Sequence, residues 1–249
     1  ETTGIFKEEA QKHNSAIYFA PEFDINWFKI LLIIIFDVFN FEVIYKVIMK
    51  NYDKKPEIIL SEIKLKLTNA VIDRKHSFHT PVFSNITIDN KISSRIVVLR
   101  KYNPQKNILN FHTDIRSKKI IEIRKNPETY FVFYSYKDKI QLRINTISKI
   151  HHQNNISKKN WEKTKLSSRK CYLAIKSPSS ISKIATDSIP ENFLGKDPEL
   201  KESEKGYKNF SVIENEIKDI EWLYLSANGH RRLIISNINK NVKYNWLIP

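Results

Sequence analysis

The chain has 249 residues, 41% hydrophobic and 12% aromatic, which excludes a disordered protein and allows one large domain or two small ones. Its net charge of +15 does not by itself indicate nucleic acid, because lysine is abundant throughout and no recognisable binding motif interleaves basic with aromatic residues. The single cysteine, Cys171, excludes an intrachain disulfide and indicates a reducing compartment, so we expect a cytoplasmic protein.

Residues 1–48 contain a short, strongly apolar run at 30–36, which charged residues soon interrupt. A membrane span needs about 20 mostly uncharged residues and a signal peptide needs a basic start, so we expect neither. Three interpretations stay open: an amphipathic flanking helix, an extension that packs on the domain, or translated upstream sequence with the natural start at Met49, the only methionine. We favour the third, and predict an extension over 1–48 and a domain over 49–249.

The first part of the domain mixes helical and strand patterns. Apolar residues at helical spacing, such as Ile59, Ile63 and Leu67, predict an amphipathic helix with one face on the core. Turn residues at 89–90 and prolines at 104 and 127 divide the chain beyond this helix. The predicted elements are a helix over 56–73, strands over 82–88, 92–100 and 108–113, and a helix over 117–125.

The second part is dominated by β-branched and aromatic runs separated by turns. The predicted elements are strands over 129–136 and 140–150, a helix over 158–166 that carries Trp161, a long loop with a short helix over 177–207, and strands over 211–225 and 232–247. Several short strands with only brief helices between them predict a mainly β protein, an antiparallel barrel with peripheral helices.

A cluster of basic residues stands where the helix over 117–125 begins. Arg116, Lys118 and Lys119 face the positive end of the helix dipole, which disfavours cations there. A phosphate monoester would explain them, because helix N–H groups, hydroxyls and cations together suit such an anion. The alternative is a solvated basic turn, and the residues alone leave both interpretations open.

Several motifs in order resemble one known family. They are RIVVLR at 95–100, FHTD at 111–114, RSKK at 116–119, NP at 126–127, QLRI at 141–144, and IEWL, HRR and WLIP at 220–223, 230–232 and 246–249. Together they look like the pyridoxamine 5′-phosphate oxidase-like family of FMN-binding split barrels, over about 53–249. The resemblance implies a flavoprotein with a Greek-key-like antiparallel split β-barrel, and a homodimer with FMN at the subunit interface.

The resemblance also implies which residues contact the cofactor. This sequence has counterparts of five family features. They are the strand that opens and closes with a basic residue, the aromatic-Thr pair, the Ser-basic-Lys turn, a glutamine near the flavin ring, and the final arginine of the C-terminal pattern. The implied FMN contacts are Arg95, Arg100, His112, Thr113, Ser117, Lys118, Lys119, Gln141 and Arg232.

On the substrate side the chain departs from the vitamin-oxidising members of that family. The residues that correspond to the substrate side of those members are Trp161, Lys165 and His230. His230 and Arg100 are the candidate catalytic groups. Asn228 stands where those members have an arginine. We therefore expect an oxidoreductase acting on a small molecule and turning over pyridoxamine 5′-phosphate poorly. A non-catalytic flavin carrier or sensor is the alternative.

No metal site is expected. The pairs His76/His79 and His151/His152 have no acidic or cysteine partner at ligand spacing, so packing or surface histidines are the better interpretation. We also expect neither a nucleic acid nor a membrane as a partner.

Overall fold

The computed structural model describes residues 55–227 and 229–249. They belong to one compact unit, Asp53–Pro249. The extension predicted over 1–48 lies outside the described residues, so the boundary at Met49 stays a prediction. Within the described ranges, every helix is too short or too polar to span a bilayer.

The first described element is the helix α1 (Pro56–Ile72), which confirms the helix predicted from apolar spacing. Pro56 begins it, where the fixed φ of proline suits the first turn and its missing N–H costs nothing. The buried side chains Ile59, Ile63 and Leu67 lie on one face of the helix and pack on the core. The helix thus covers part of the barrel.

The strands form one antiparallel sheet. Its order is β2-β1-β5-β6-β7-β4-β3, with β8 added to β7 and β9 added to β8. The predicted mainly β, antiparallel fold is confirmed. The strands are β1 (Val82–Ile86), β2 (Ile92–Ile96), β3 (Lys101–Asn103), β4 (Ile108–Asp114), β5 (Glu128–Ser135), β6 (Ile140–His152), β7 (Phe210–Tyr224), β8 (Arg231–Ser236) and β9 (Lys243–Leu247).

Short helices decorate the sheet: α2 (Lys118–Lys125), α3 (Asn155–Glu162), α4 (Leu166–Arg169) and α5 (Leu200–Ser203). The helix predicted over 158–166 begins earlier, at Asn155, because Asn154 and Ser157 form a reciprocal capping box. The core contains two aromatic clusters. The rings of Phe83, Phe111 and Phe131 pack against one another in the first, and Trp161 packs against Tyr172 and Phe210 in the second.

Two predicted strands are each divided in the structure. The run 92–100 leaves β2 at Ile96, and its next residues bond across to other elements: Leu99 N–H donates to the His79 carbonyl, and Arg100 N–H to the Asn110 carbonyl. The chain thus crosses from one sheet edge to the other. The run 232–247 is divided by a turn at Asn237, which has a φ of 53°, a value that asparagine tolerates well.

Candidate functional site

Three polar side chains meet where β4 ends and α2 begins. Lys119 Nζ donates to Thr113 Oγ1 at 3.0 Å, and Thr113 Oγ1 lies 3.4 Å from Ser117 Oγ. Ser117 precedes α2, yet its side chain makes no capping hydrogen bond to the helix. On the neighbouring strand, Ser211 Oγ donates to the Thr113 carbonyl at 2.8 Å and fixes this strand end. We call Thr113, Ser117 and Lys119 the cradle.

Arg95 stands close enough to the cradle to act on it electrostatically. Burial lowers the pKa of Lys119, and the positive charge of Arg95 lowers it further. Arg95 comes from β2, where it pairs with Phe83 and extends over that ring at 5.7 Å. Its guanidinium donates to Asn85 Oδ1 and to Ser93 Oγ. Two desolvated cations therefore face the same region.

Arg116, the first residue of the basic turn, pairs with Asp114 instead of joining the cradle. Its guanidinium forms a bidentate ion pair with Asp114, at 2.7 Å for the closest contact. It also donates to the carbonyls of Ala174 and Ile175. Arg116 thus ties a distant loop to the strand end, while Lys118 is exposed beside it.

A serine-rich loop lies over the cradle, and sequence analysis gave it no role. A cavity of about 480 Å³ has the cradle on one side and the loop on the other. The loop is held at its base, where Ile175 N–H donates to the Ser188 carbonyl. A run of small polar residues signals a loop, but only the fold shows what it covers. The loop residues that line the cavity are Lys176, Ser177, Pro178, Ser179, Ser180, Ser182, Thr186, Asp187 and Ser188.

His112 lines this cavity and also a second one. Its Nε2 atom is buried and has no hydrogen-bond partner among the described residues. Burial lowers the pKa of His112 to about 4, the charge of Arg100 acts in the same direction, and the nearby Asn160 side chain acts against both. The imidazole is therefore neutral at physiological pH. A buried polar atom without a partner is costly, and it marks a position where a ligand can satisfy it.

The second cavity, of about 610 Å³, brings together Arg100, His112 and Lys165. Among the residues that the structure describes, Glu214 is the one carboxylate in its lining, and it is engaged with His151 at 2.9 Å. The lining is otherwise strongly basic, so the potential there favours an anion. The cations that line it are Arg74, Arg100, Lys101, Lys159, Lys163 and Lys165.

Trp161, which was predicted on the substrate side, does not line this cavity. It is only 2% exposed and packs against Tyr172 and Phe210. Its indole N–H donates to Glu204, and the guanidinium of Arg169 stacks over its ring at 4.5 Å. Trp161 is therefore a core residue, in the cluster that it forms with Tyr172 and Phe210.

Gln141 and Arg232 lie on the opposite face of the sheet from Arg95. Gln141 on β6 and Arg232 on β8 both pair with Leu223, the residue between them on β7. Arg232 forms a bidentate ion pair with Glu221, at 2.8 and 3.0 Å, and Arg143 also pairs with Glu221. Burial alone would raise the pKa of Glu221, but these hydrogen bonds outweigh it and lower the pKa. Within one chain, then, Gln141 and Arg232 are separate from the cradle.

His230 is exposed in the turn before β8, where its Nδ1 accepts from the Ser226 N–H at 3.2 Å. The preceding Asn228 lies outside the described residues. The histidine pairs have structural partners: His79 Nδ1 contacts the Ala70 carbonyl and His152 Nδ1 the Phe210 carbonyl. Residues 55–227 and 229–249 contain no group of three or more side chains suited to a metal ion.

The comparison with protein families matches one part of the chain. Residues 61–152 match the family model described as "Pyridoxamine 5′-phosphate oxidase, FMN-binding domain". This stretch carries the motifs from Arg95 to Gln141, so the resemblance to this family is confirmed. The matched domain is an FMN-binding one, in agreement with the expected cofactor. A search of curated proteins gives no match.

Solved structures share the fold. A pyridoxamine 5′-phosphate oxidase-related, FMN binding protein from Nostoc punctiforme has a TM-score of 0.58 at 14% identity, covering 76% of this chain and 95% of its own. PhzG from Burkholderia lata, in complex with tetrahydrophenazine-1-carboxylic acid, has a TM-score of 0.60 at 17% identity, covering 80% of this chain and 96% of its own. These similarities confirm the split-barrel fold.

Proposed function

We propose that this protein binds FMN non-covalently and uses it to oxidise or reduce a small molecule. One observation carries the proposal. The cradle of Thr113, Ser117 and Lys119 combines two hydroxyls, a cation and the start of a helix in the lining of a cavity of about 480 Å³. The match of residues 61–152 to an FMN-binding domain supports the same cofactor.

The donors around the cradle fit a phosphate monoester. Lys119 and Arg95 supply two positive charges, and hydrogen bonds between such groups and a phosphate are stronger than neutral ones. The N-terminus of α2 adds the favourable end of a helix dipole. The loop at 176–188 offers further hydroxyls from the other side of the cavity. A dianionic group would therefore relieve the repulsion between two desolvated cations.

The second cavity is our candidate for the substrate. When bound, FMN supplies the hydride chemistry, and the protein binds and orients. His112 lines both cavities, so its neutral imidazole can contact a ligand in either one. Arg100 and Lys165 belong to the basic lining of the second cavity, which suits a small anionic molecule.

We further propose a homodimer with FMN at its interface. The outer face of the sheet exposes apolar side chains that form cross-strand pairs: Ile96 with Val82, and Ile92 with Ile86. Gln141 and Arg232 lie on this same face. A second chain that packs there would bring both residues towards a cofactor that is bound mainly by the other chain.

The visible absorption spectrum of the purified protein tests the cofactor directly. We expect flavin bands, and after removal of the flavin we expect FMN to bind much more tightly than riboflavin, which lacks the phosphate. Protein without flavin bands that binds neither compound would contradict the proposal. Two reactions distinguish an oxidoreductase from a carrier or sensor. One is reduction of the bound, oxidised flavin by NAD(P)H, and the other is reoxidation of the reduced flavin by a small-molecule acceptor.

A further inference from the structure

Behind Arg95 lies a chain of buried polar groups that the proposed cofactor contacts do not use. Arg95 Nη1 donates to Asn85 Oδ1, and Asn85 Nδ2 donates to Glu122 Oε2 at 2.8 Å. Asn85 is 3% exposed and Glu122 is 8% exposed. The carboxylate of Glu122 thus reaches the guanidinium through an amide, without touching it.

The residue type in the middle of this chain is strongly constrained. A guanidinium only donates and a carboxylate only accepts, so the linking group must accept on one side and donate on the other. An amide does both, whereas an aspartate in place of Asn85 would only accept. These two contacts also fix which end of the Asn85 amide carries the oxygen. The arrangement therefore sets the orientation of the Arg95 side chain.

The hydrogen-bonded series Arg95–Asn85–Glu122 leaves Arg95 available for a ligand. The contacts to Asn85 and Ser93 use two N–H groups, and the other donors make no hydrogen bond to the described residues. A direct ion pair between Arg95 and Glu122 would instead place a carboxylate where an anion should bind. The amide keeps the negative charge one side chain away.

We propose that Asn85 and Glu122 are positioning residues of the phosphate site: Asn85 orients Arg95, and Glu122 holds the Asn85 amide and places a buried negative charge near Arg95 and Lys119. The inference rests on the proposed FMN site and adds the means by which that site tolerates its own cations. Glu122 lies one turn after Lys119 on α2, so one carboxylate serves cations from two elements.

The electrostatics agree with this geometry. The negative charge of Glu122 raises the pKa of both Arg95 and Lys119, opposing the larger lowering that burial causes. Asp114 also raises the pKa of Lys119, and by more than Glu122 does, so the test must separate the two carboxylates. The charged groups around Lys119 are Arg95 from β2, Asp114 from β4, Glu122 from its own helix, and Lys176 and Asp187 from the loop across the cavity.

Two variants separate orientation from charge. Glu122→Gln keeps a carbonyl that can accept from Asn85 but removes the charge. Asn85→Leu keeps both charges but removes the link. Glu128→Gln, an exposed residue at the start of β5, removes one negative charge elsewhere and is the matched control. FMN and riboflavin affinities are measured by flavin fluorescence between pH 6 and pH 10 for each protein.

We expect Asn85→Leu to weaken FMN binding by about tenfold across the pH range, with riboflavin binding unchanged. For Glu122→Gln we expect nearly unchanged FMN affinity at pH 6, and an alkaline loss of affinity that begins at a lower pH than in the wild type. Equal losses for FMN and riboflavin, or a Glu122→Gln profile that matches the control, would overturn the inference while leaving FMN binding intact.

A second measurement does not depend on flavin. NMR of ¹³C-labelled lysine, with Lys119 assigned by Lys119→Arg, gives its pKa in the flavin-free protein. We expect the pKa of Lys119 to be lower in Glu122→Gln than in the wild type or in Glu128→Gln. An unchanged pKa would overturn the inference. Failure of the wild type to bind FMN would instead contradict the proposed function, and the two failures are therefore distinguishable.

Discussion

Lys119 reaches back across the turn between β4 and α2 and donates to Thr113 at 3.0 Å. Because this bond uses one N–H of the ammonium group, the others stay available for an anion. Hydrogen bonds to charged groups contribute about 1.5–3 kcal/mol, so Lys119→Ala or Arg95→Ala should weaken FMN binding by at least about tenfold. Titration of flavin fluorescence measures this. Arg124→Ala, exposed on the same helix, is the control, and an affinity equal to the control in both variants would contradict the assignment.

His112 should make the protein sensitive to acid. Burial holds its pKa at about 4 when folded, whereas the ordinary value is 6.5, so the unfolded chain takes up the proton first as pH falls. Stability is therefore lost between pH 6.5 and pH 4, by up to about 3 kcal/mol. His112→Phe, which retains an aromatic ring against Phe210, should lose less stability over this interval. Urea unfolding at several pH values measures the difference, and parallel curves for the two proteins would refute the prediction.

Arg232 should matter for flavin binding only in the dimer. We expect the wild type to have the mass of two chains by light scattering, and Arg232→Ala to bind FMN roughly tenfold more weakly while keeping its fold. Arg232→Lys should restore part of the affinity, because it keeps the charge but not the bidentate geometry seen with Glu221. Lys218→Ala on the same sheet is the control. A monomer with full FMN affinity would rule out an interface site.

Pyridoxamine 5′-phosphate should be a poor substrate. The arginine that vitamin-oxidising relatives are expected to present is replaced by Asn228, and loss of a guanidinium contact costs about two orders of magnitude in efficiency. Anaerobic mixing followed by flavin absorbance measures the reduction. Asn228→Arg should increase the rate. Reduction of the wild-type flavin at about 1 per second, an ordinary enzymatic rate, would contradict this prediction and indicate a pyridoxamine 5′-phosphate oxidase.

A chain that begins at Met49 should fold, dimerise and bind FMN. The family match begins at residue 61 and the first described helix at Pro56, so the motifs of the proposed site all lie after Met49. Thermal unfolding and flavin titration of the shortened and full-length chains test this. An insoluble or flavin-free shortened protein would show that part of 1–48 contributes to the domain.

Local sequence signals predicted most of the individual elements. Pro56 and the spacing of Ile59, Ile63 and Leu67 indicate α1, and the structure ends that helix within a residue of the expected end. Asn126 and Pro127 likewise mark where α2 stops. These signals depend on φ preferences, caps and periodicity, all of which act within a few residues.

The features that could not be predicted depend on residues far apart in the chain. The run 92–100 reads as one strand, but its second half bonds to His79 and Asn110 and leaves β2. From its position on the predicted helix, Trp161 could face either the core or a cavity. Its packing against Phe210, a residue far away in the sequence, shows that it faces the core. The position of the loop at 176–188 over the cradle could not be predicted either, because it depends on the contacts that Arg116 makes with the carbonyls of Ala174 and Ile175.

The pairing of Thr113 with Ser211 has a consequence for the order of events during synthesis. β4 joins the sheet through β7, so the strand end that supports the cradle is fixed by residues about a hundred positions later. Such distant pairs form late, because closing a long loop is slow. We expect the nascent chain to be unable to retain flavin until β7 has left the ribosome, and a chain that stops before residue 210 to be released without cofactor however much FMN the cell contains.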